Sequence, residues 1–290
     1  MQTLSLDQAL TQFLTSLRAR NTSVLTQQAY HTDVRQFIAW LNETTVVATH
    51  AGTVTKADII EYLSYLSDLG RSGITRARKL ASLREYFKYL YEHDLIPSSP
   101  AVSVAIPKKE RKQQAYLRPD EYARLLSAAG SNPRDFAILQ LFLQTGIRVS
   151  ELVNLTLADV DLANKTLKVD GKGSKERTIP LEKKAVMAVK NYLVVRLRSM
   201  DSHLFLNYNG DGLSRRGAEK IIEKYRLLSG INKRFSCHSL RHTFGSYKAE
   251  QGVSPFQLKE WMGHSSISVT QLYVHMSREH ARRAMEQTSL

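Results

Sequence analysis

At 290 residues the chain is long enough for two domains with separate cores, since domains usually run to roughly 100–200 residues. Its 41 Lys and Arg outnumber 27 Asp and Glu for a formal charge of +14, which calls for a polyanionic partner, nucleic acid first. The composition argues against three classes: no long apolar run or basic amphipathic start suits a membrane, the opening Met1-Gln-Thr-Leu-Ser-Leu-Asp-Gln has no leader pattern for secretion, and a lone cysteine, Cys237, permits no intrachain disulfide and fits a reducing cytoplasm. Cys237 itself reads as a small packed residue.

The segment 1–106 reads as a helical domain. Apolar residues recur at helical spacing between Gln8 and Leu17, and again through Leu25, Ala29, Val34, Phe37, Ile38 and Leu41. Thr55 caps a third helix over Lys56 to Leu69, with Ile59, Ile60, Leu63 and Leu66 as its stripe and Gly70 at its end. A fourth runs from near Ile74 to about Asp94 with Leu80, Leu83, Phe87 and Leu90 inward, and Pro97 and Pro100 close the domain. Arg76, Arg78 and Lys79 crowd the N-terminal end of this helix, where the dipole disfavours cations, so an anion is expected to compensate. Arg84 and Lys88, four apart, form a second basic face. Two readings of these five cations stand: a solvated surface, or a face that follows DNA phosphates without reading sequence.

The stretch 107–117 contains Lys108, Lys109, Arg111 and Lys112 without periodicity and reads as a basic linker that follows a DNA backbone. A second domain, 118–276, begins with a helix at Arg118-Pro-Asp-Glu, followed by a buried apolar segment from Asp135 to Thr145. Alternation over Lys165 to Asp170, the turn Gly171-Lys172-Gly173, and the run from Lys175 to Pro180 predict a β-hairpin. Helices resume from Glu182, so the fold class is mainly α with a small β-sheet (α+β). In the tail, 277–290, Ser277 caps a short amphipathic helix with Ala281, Ala284 and Met285 on one side. Such a helix is too short to stand alone and must dock, on its own domain or on a neighbour.

Chemistry-bearing residues cluster in this second half. Arg148 follows a Gly146 turn, with Glu151 one turn on, as an ordinary surface ion pair or as a guanidinium oriented by a carboxylate. His238, Arg241 and His242 share one helical turn. The H-x-x-x-H spacing does not make a zinc site, because position 239 is serine where the protease form needs glutamate, and Arg241 repels a dication. No nucleotide-binding glycine loop is present. His264 lies in a glycine turn, and Tyr273 ends the unit that follows, capped at Ser265 or Ser268. A tyrosine alone is ordinarily a packing residue. Two guanidiniums, imidazoles and a phenol together suit the holding and attack of a phosphodiester without a metal.

The motifs Thr-Gly-Ile-Arg148-Val-Ser-Glu151-Leu, Gly-Lys172-Gly, His238-Ser-Leu-Arg241-His242-Thr-Phe, Gly-His264-Ser-Ser-Ile and Tyr273 resemble, in order and separation, the tyrosine site-specific recombinases, most closely the compact Xer type. The resemblance covers nearly the whole chain. It implies a SAM-like core-binding domain and a catalytic domain that together form a C-shaped DNA clamp. Tyr273 would be the nucleophile forming a 3′-phosphotyrosine; Arg148 and Arg241 would clamp the phosphate. Lys172 would protonate the leaving 5′-oxygen, with Lys175 as rival. His238 and His264 would bind phosphate and move protons, Glu151 would orient Arg148 or His238, and His242 would be structural. No cofactor is implied. The implied partners are double-stranded DNA with inverted half-sites, a homotetramer on two duplexes with exchange of the tail helix, and an accessory protein or second recombinase, in a bacterial or archaeal nucleoid. The length leaves no room for the extra arm-binding domain of lambda-type integrases. Chromosome or plasmid dimer resolution, transposon cointegrate resolution and integration of a mobile element share this chemistry. A catalytically silent DNA-binding protein and a topoisomerase-like enzyme are the readings of another class.

Overall fold

The computed structural model describes residues 4–44, 50–107, 116–171 and 176–263. Lys108, Lys109, Arg111, Lys112, Lys172, Lys175, His264, Tyr273 and the tail helix lie outside the described residues. The chain divides into two compact units between Lys112 and Gln113.

The first unit holds α1 (Leu6–Ala19), α2 (Val24–Thr44), α3 (Lys56–Asp68) and α4 (Gly73–Glu92). Local signals set most of their starts. Ser5 with Gln8, and Thr55 with Asp58, form reciprocal capping boxes, and Ser72 accepts the Thr75 amide. The helices enclose Phe13, Phe37, Tyr62, Tyr86 and Phe87, all fully buried, with Phe37 edge-on to Tyr62 at 5.2 Å between ring centroids.

Three expected core positions are not in the core. Leu25 is 72% exposed and Ala29 is exposed, so the buried face of α2 begins only at Asp33 and Val34. Ile60 is 48% exposed because it lies 100° around α3 from Ile59, while Tyr62, Leu63 and Leu66 stay within the inward stripe.

The anion expected to offset the basic start of α4 is internal. Asp33, buried on α2, takes bonds from Arg78, from Lys79 at 2.9 Å and from Ser82 at 2.8 Å, and Lys79 also bonds Gln36. This corrects the phosphate-tracking reading for Lys79, whose ammonium is buried against a carboxylate 46 positions away. Arg84 is corrected likewise: it donates to the carbonyls of Ala101 at 3.3 Å and Val104 at 2.6 Å. It thereby ties down the segment after α4, and Ile96, Ala101 and Val104 carry the core past Pro97 and Pro100. Arg78 and Lys88 remain exposed and Arg76 is partly buried. Replacing Asp33 by Ala strands the Lys79 charge, and a loss of about 3–5 kcal/mol is expected. Denaturant unfolding checks this, and an unchanged midpoint would show that the network contributes nothing.

The second unit begins with α5 (Pro119–Ala129) and α6 (Pro133–Thr145), followed by α7 (Val149–Asn154). Then come β1 (Val160–Asp161), β2 (Thr166–Asp170) and β3 (Glu176–Pro180), an antiparallel sheet in the order β1-β2-β3. The predicted hairpin is β2–β3, with Leu167 opposite Ile179 and Asp170 opposite Glu176; the two-residue β1 was not foreseen. Among the described residues the unit continues with α8 (Lys183–Val195), α9 (Arg215–Leu228), α10 (Cys237–Glu250) and α11 (Pro255–Met262). The apolar α6 is central, with Ala137, Ile138, Leu139, Leu141 and Phe142 all buried and α8 and α10 packed on it.

Gly146 ends α6 in the left-handed region at φ +62°, and a Cβ there would lie 2.4 Å from the Phe244 ring on α10. Only glycine satisfies both the turn and that packing. The turn delivers the chain to Arg148 two residues later.

Candidate active site

Arg148 is the N-cap of α7, and Glu151 is the third residue of that helix. One Glu151 oxygen accepts the Arg148 amide at 2.7 Å; the other accepts Arg148 Nη1 at 2.7 Å. A capping box and an oriented guanidinium are thus one arrangement. Of the two partners considered for Glu151, its bonds are to Arg148 rather than His238. A second arginine joins it: Arg177 on β3 donates Nη1 at 3.0 Å and Nη2 at 2.8 Å to the same carboxylate. Burial would raise the Glu151 carboxyl, but the bonds from Arg177 and the Arg148 amide outweigh it and hold the group below the ordinary carboxylate value.

Arg241 points from α10 into the protein and is 3% exposed. Its Nη1 donates to Gly146 O at 2.7 Å and its Nη2 to Met262 O at 2.6 Å. Arg148 Nη2 donates to the next carbonyl along, Gly263 O, at 2.6 Å. The two guanidiniums therefore meet at the end of α11, and the Arg148 side chain, 37% exposed, is open on one side. His238 lies one turn before Arg241 on α10.

His238 and His242 face each other, Nε2 to Nε2, at 3.0 Å. Loss of water around the His238 ring, then the Arg241 and Arg148 charges, push its pKa below the ordinary histidine value. Burial, then His238 and Arg241, push His242 down to about 4. Both rings are neutral at neutral pH, so one donates and the other accepts. Because the unfolded chain binds the His242 proton more tightly, its contribution to stability is complete above about pH 6.5 and falls as pH drops toward about 4. A His242→Gln variant is expected to lose stability less steeply across that window in thermal melts. Superimposable profiles would remove His242 as the source.

Two family descriptions match the chain: the phage integrase family over residues 115–280, and the phage integrase N-terminal SAM-like domain over residues 10–94. The chain belongs to the phage integrase family. Among curated members it is 40% identical to tyrosine recombinase XerC of Thermodesulfovibrio yellowstonii over 223 residues, 73% of this chain and 74% of the relative. It is 35% identical to tyrosine recombinase XerD of Halalkalibacterium halodurans over 273 residues, 91% of both chains. Of solved structures, XerA recombinase is 26% identical with a TM-score of 0.56, covering 97% of this chain and 98% of that one. The Tn1549 transposon integrase in complex with transposon right end DNA shares the fold at a TM-score of 0.80 and 21% identity, over 98% and 99% of the two chains. A lambda integrase tetramer bound to a Holliday junction shares it at 0.78 and 18%, over 94% and 78%.

Of the site residues read from the sequence of this phage integrase family member, the structure brings Arg148, Glu151, Arg241 and His238 to one region around the start of α7, the start of α10 and the end of α11. Sequence reading passed over Arg177. The available signal was strand parity: Arg177 lies two residues before the buried Ile179 and opposite the buried Val169, so a charged residue occupies an inward position. Cys237 is buried, and burial, then Glu219, push its thiol up to about 12, which suits packing and not nucleophilic chemistry. Among the described residues no helix is long and apolar enough to cross a membrane.

Proposed function

We propose that this chain is an Xer-like site-specific tyrosine recombinase, which cleaves and rejoins double-stranded DNA through a 3′-phosphotyrosine on Tyr273 and exchanges strands through a Holliday junction. The observation that carries this reading is the convergence of Arg148 and Arg241, from separate elements, on consecutive carbonyls beside His238. Two fixed cations are suited to the charge that develops on a five-coordinate phosphorus.

In this reaction the Tyr273 oxygen bonds to phosphorus and the bond from phosphorus to the 5′-oxygen breaks. The phenolic proton passes to a neighbouring base, for which a neutral His238 is suited. Lys172 gives the departing 5′-oxygen its proton, with Lys175 as the rival donor; His264 assists at the phosphate. Attack by a 5′-hydroxyl from the other duplex reverses each step. One phosphodiester is exchanged for another, so neither ATP nor a metal is required. Lys108, Lys109, Arg111, Lys112, Arg78 and Lys88 supply backbone contacts that make binding salt-dependent.

The assembly proposed is a homotetramer on two duplexes carrying inverted half-sites, with the 277–290 helix passed between neighbours. The XerC and XerD relatives favour resolution of chromosome or plasmid dimers in a bacterial or archaeal nucleoid over transposon resolution or integration. Covalent capture tests the proposal: the protein is incubated with sheared DNA from its source, quenched in detergent, and the protein-linked fragments are sequenced. Adducts at inverted half-sites around a short spacer are expected, and their location identifies a chromosomal, plasmid or transposon target. Bound DNA without adducts would favour a silent DNA-binding protein.

A further inference from the structure

The last turn of a helix leaves carbonyls without intrahelical donors. At the end of α11 and its C-cap Gly263, three consecutive ones are each taken by an arginine from a different element. Arg177 Nε on β3 bonds Trp261 O at 2.8 Å, Arg241 on α10 bonds Met262 O at 2.6 Å, and Arg148 at the start of α7 bonds Gly263 O at 2.6 Å. Two of these arginines are the phosphate ligands of the function proposed above. The third has no part in it.

Arg177 nonetheless shapes what the other two present. Its side chain is about nine-tenths buried, and its remaining nitrogens grip the Glu151 carboxylate that orients Arg148. Gly263, at φ +63°, lies against this guanidinium so closely that a Cβ would sit 2.8 Å from Nη1. Arg177 thus fills a three-sided seat made by Glu151, the Trp261 carbonyl and the bare Cα of Gly263. Charge matters as much as shape. Arg148 and Glu151 alone would be a neutral pair with little attraction for phosphate; with Arg177 the cluster keeps one net positive charge.

We propose that Arg177 is a positioning residue for cleavage, locking Glu151 and the Arg148 fork to the end of α11. The inference rests on the recombinase reading for its catalytic consequence, while the contact itself does not.

The test pairs two readouts on the full chain. In single-turnover cleavage of a captured half-site, Arg177→Ala is expected to lose about 100-fold in rate, the scale of a misplacement of about 1 Å, with DNA affinity little changed. Arg177→Lys should recover part of that loss, because it restores the charge but not the fork. In a cycle with Glu151→Gln the two losses should be strongly less than additive. Separately, in DNA-free protein, the Glu151 carboxyl followed by ¹³C NMR and assigned by its absence in Glu151→Gln should titrate at higher pH in Arg177→Ala. Wild-type cleavage by Arg177→Ala, or losses that add and merely follow thermal stability, would overturn the proposal. If wild-type protein forms no adducts, the recombinase reading fails, and an unmoved Glu151 titration would overturn the positioning role on its own.

Discussion

Replacing Tyr273 by Phe is expected to abolish covalent protein–DNA adducts while leaving duplex binding intact. The substitution deletes one oxygen and keeps the ring, so packing changes little, and the bond to phosphorus loses the only atom that can form it. In the proposed complex, affinity comes from Lys and Arg contacts to the DNA backbone, which the change does not touch. Detergent-resistant adducts on a half-site and a gel shift at matched salt read the two effects independently. Persisting adducts would transfer the nucleophile to another of the 13 tyrosines. Tyr62 and Tyr86 are poor rivals, since both are fully buried and burial raises their phenols, Tyr62 to about 12. An adduct of unchanged yield in Tyr273→Phe would therefore sink the assignment itself.

The second large effect is expected at Arg241, which has a structural role and, in the proposed reaction, an electrostatic one. Arg241→Ala leaves the carbonyls of Gly146 and Met262 without these donors, at about 1–3 kcal/mol for each left unsatisfied. The melting temperature should fall by several degrees. Removing one electrostatic clamp should also slow cleavage by about 10²–10³-fold. Scaling the rate to the folded fraction separates the two. Arg241→Lys sharpens the test, because a single ammonium keeps the charge but cannot span both carbonyls while facing a phosphate. It should regain stability more than rate. A lysine variant that cleaves as fast as the wild type would show that the planar fork is not needed.

These expectations draw on the sequence and the tertiary structure unequally. The helices of the first unit were legible because their signals are local: the Thr55 cap and Gly70 at the ends of α3, and the inward run Leu80, Leu83, Phe87, Leu90 of α4, each lie within a single helix. The hairpin was legible from alternation about a glycine turn, and Arg148, Glu151, His238 and Arg241 from motifs whose order and spacing mark the family. What escaped was the ownership of charges. A basic start to α4 reads the same whether it faces DNA or a buried Asp33, and Lys79 finds that carboxylate 46 positions away.

The sequence by itself therefore determined the two-domain α+β plan, helix starts such as those of α3, α4 and α5, the family and the candidate chemistry, since periodicity, capping and motif order act over short stretches of chain. Only the tertiary structure decided that Lys79 and Arg84 serve their own domain, that Leu25 and Ile60 stay outside the core, and that Arg177 stands between Glu151 and the end of α11. Arg177 reaches Glu151 across 26 positions and Trp261 across 84. A hydrogen bond selects its partner by distance and direction in space, and neither is written in the local spacing of residues.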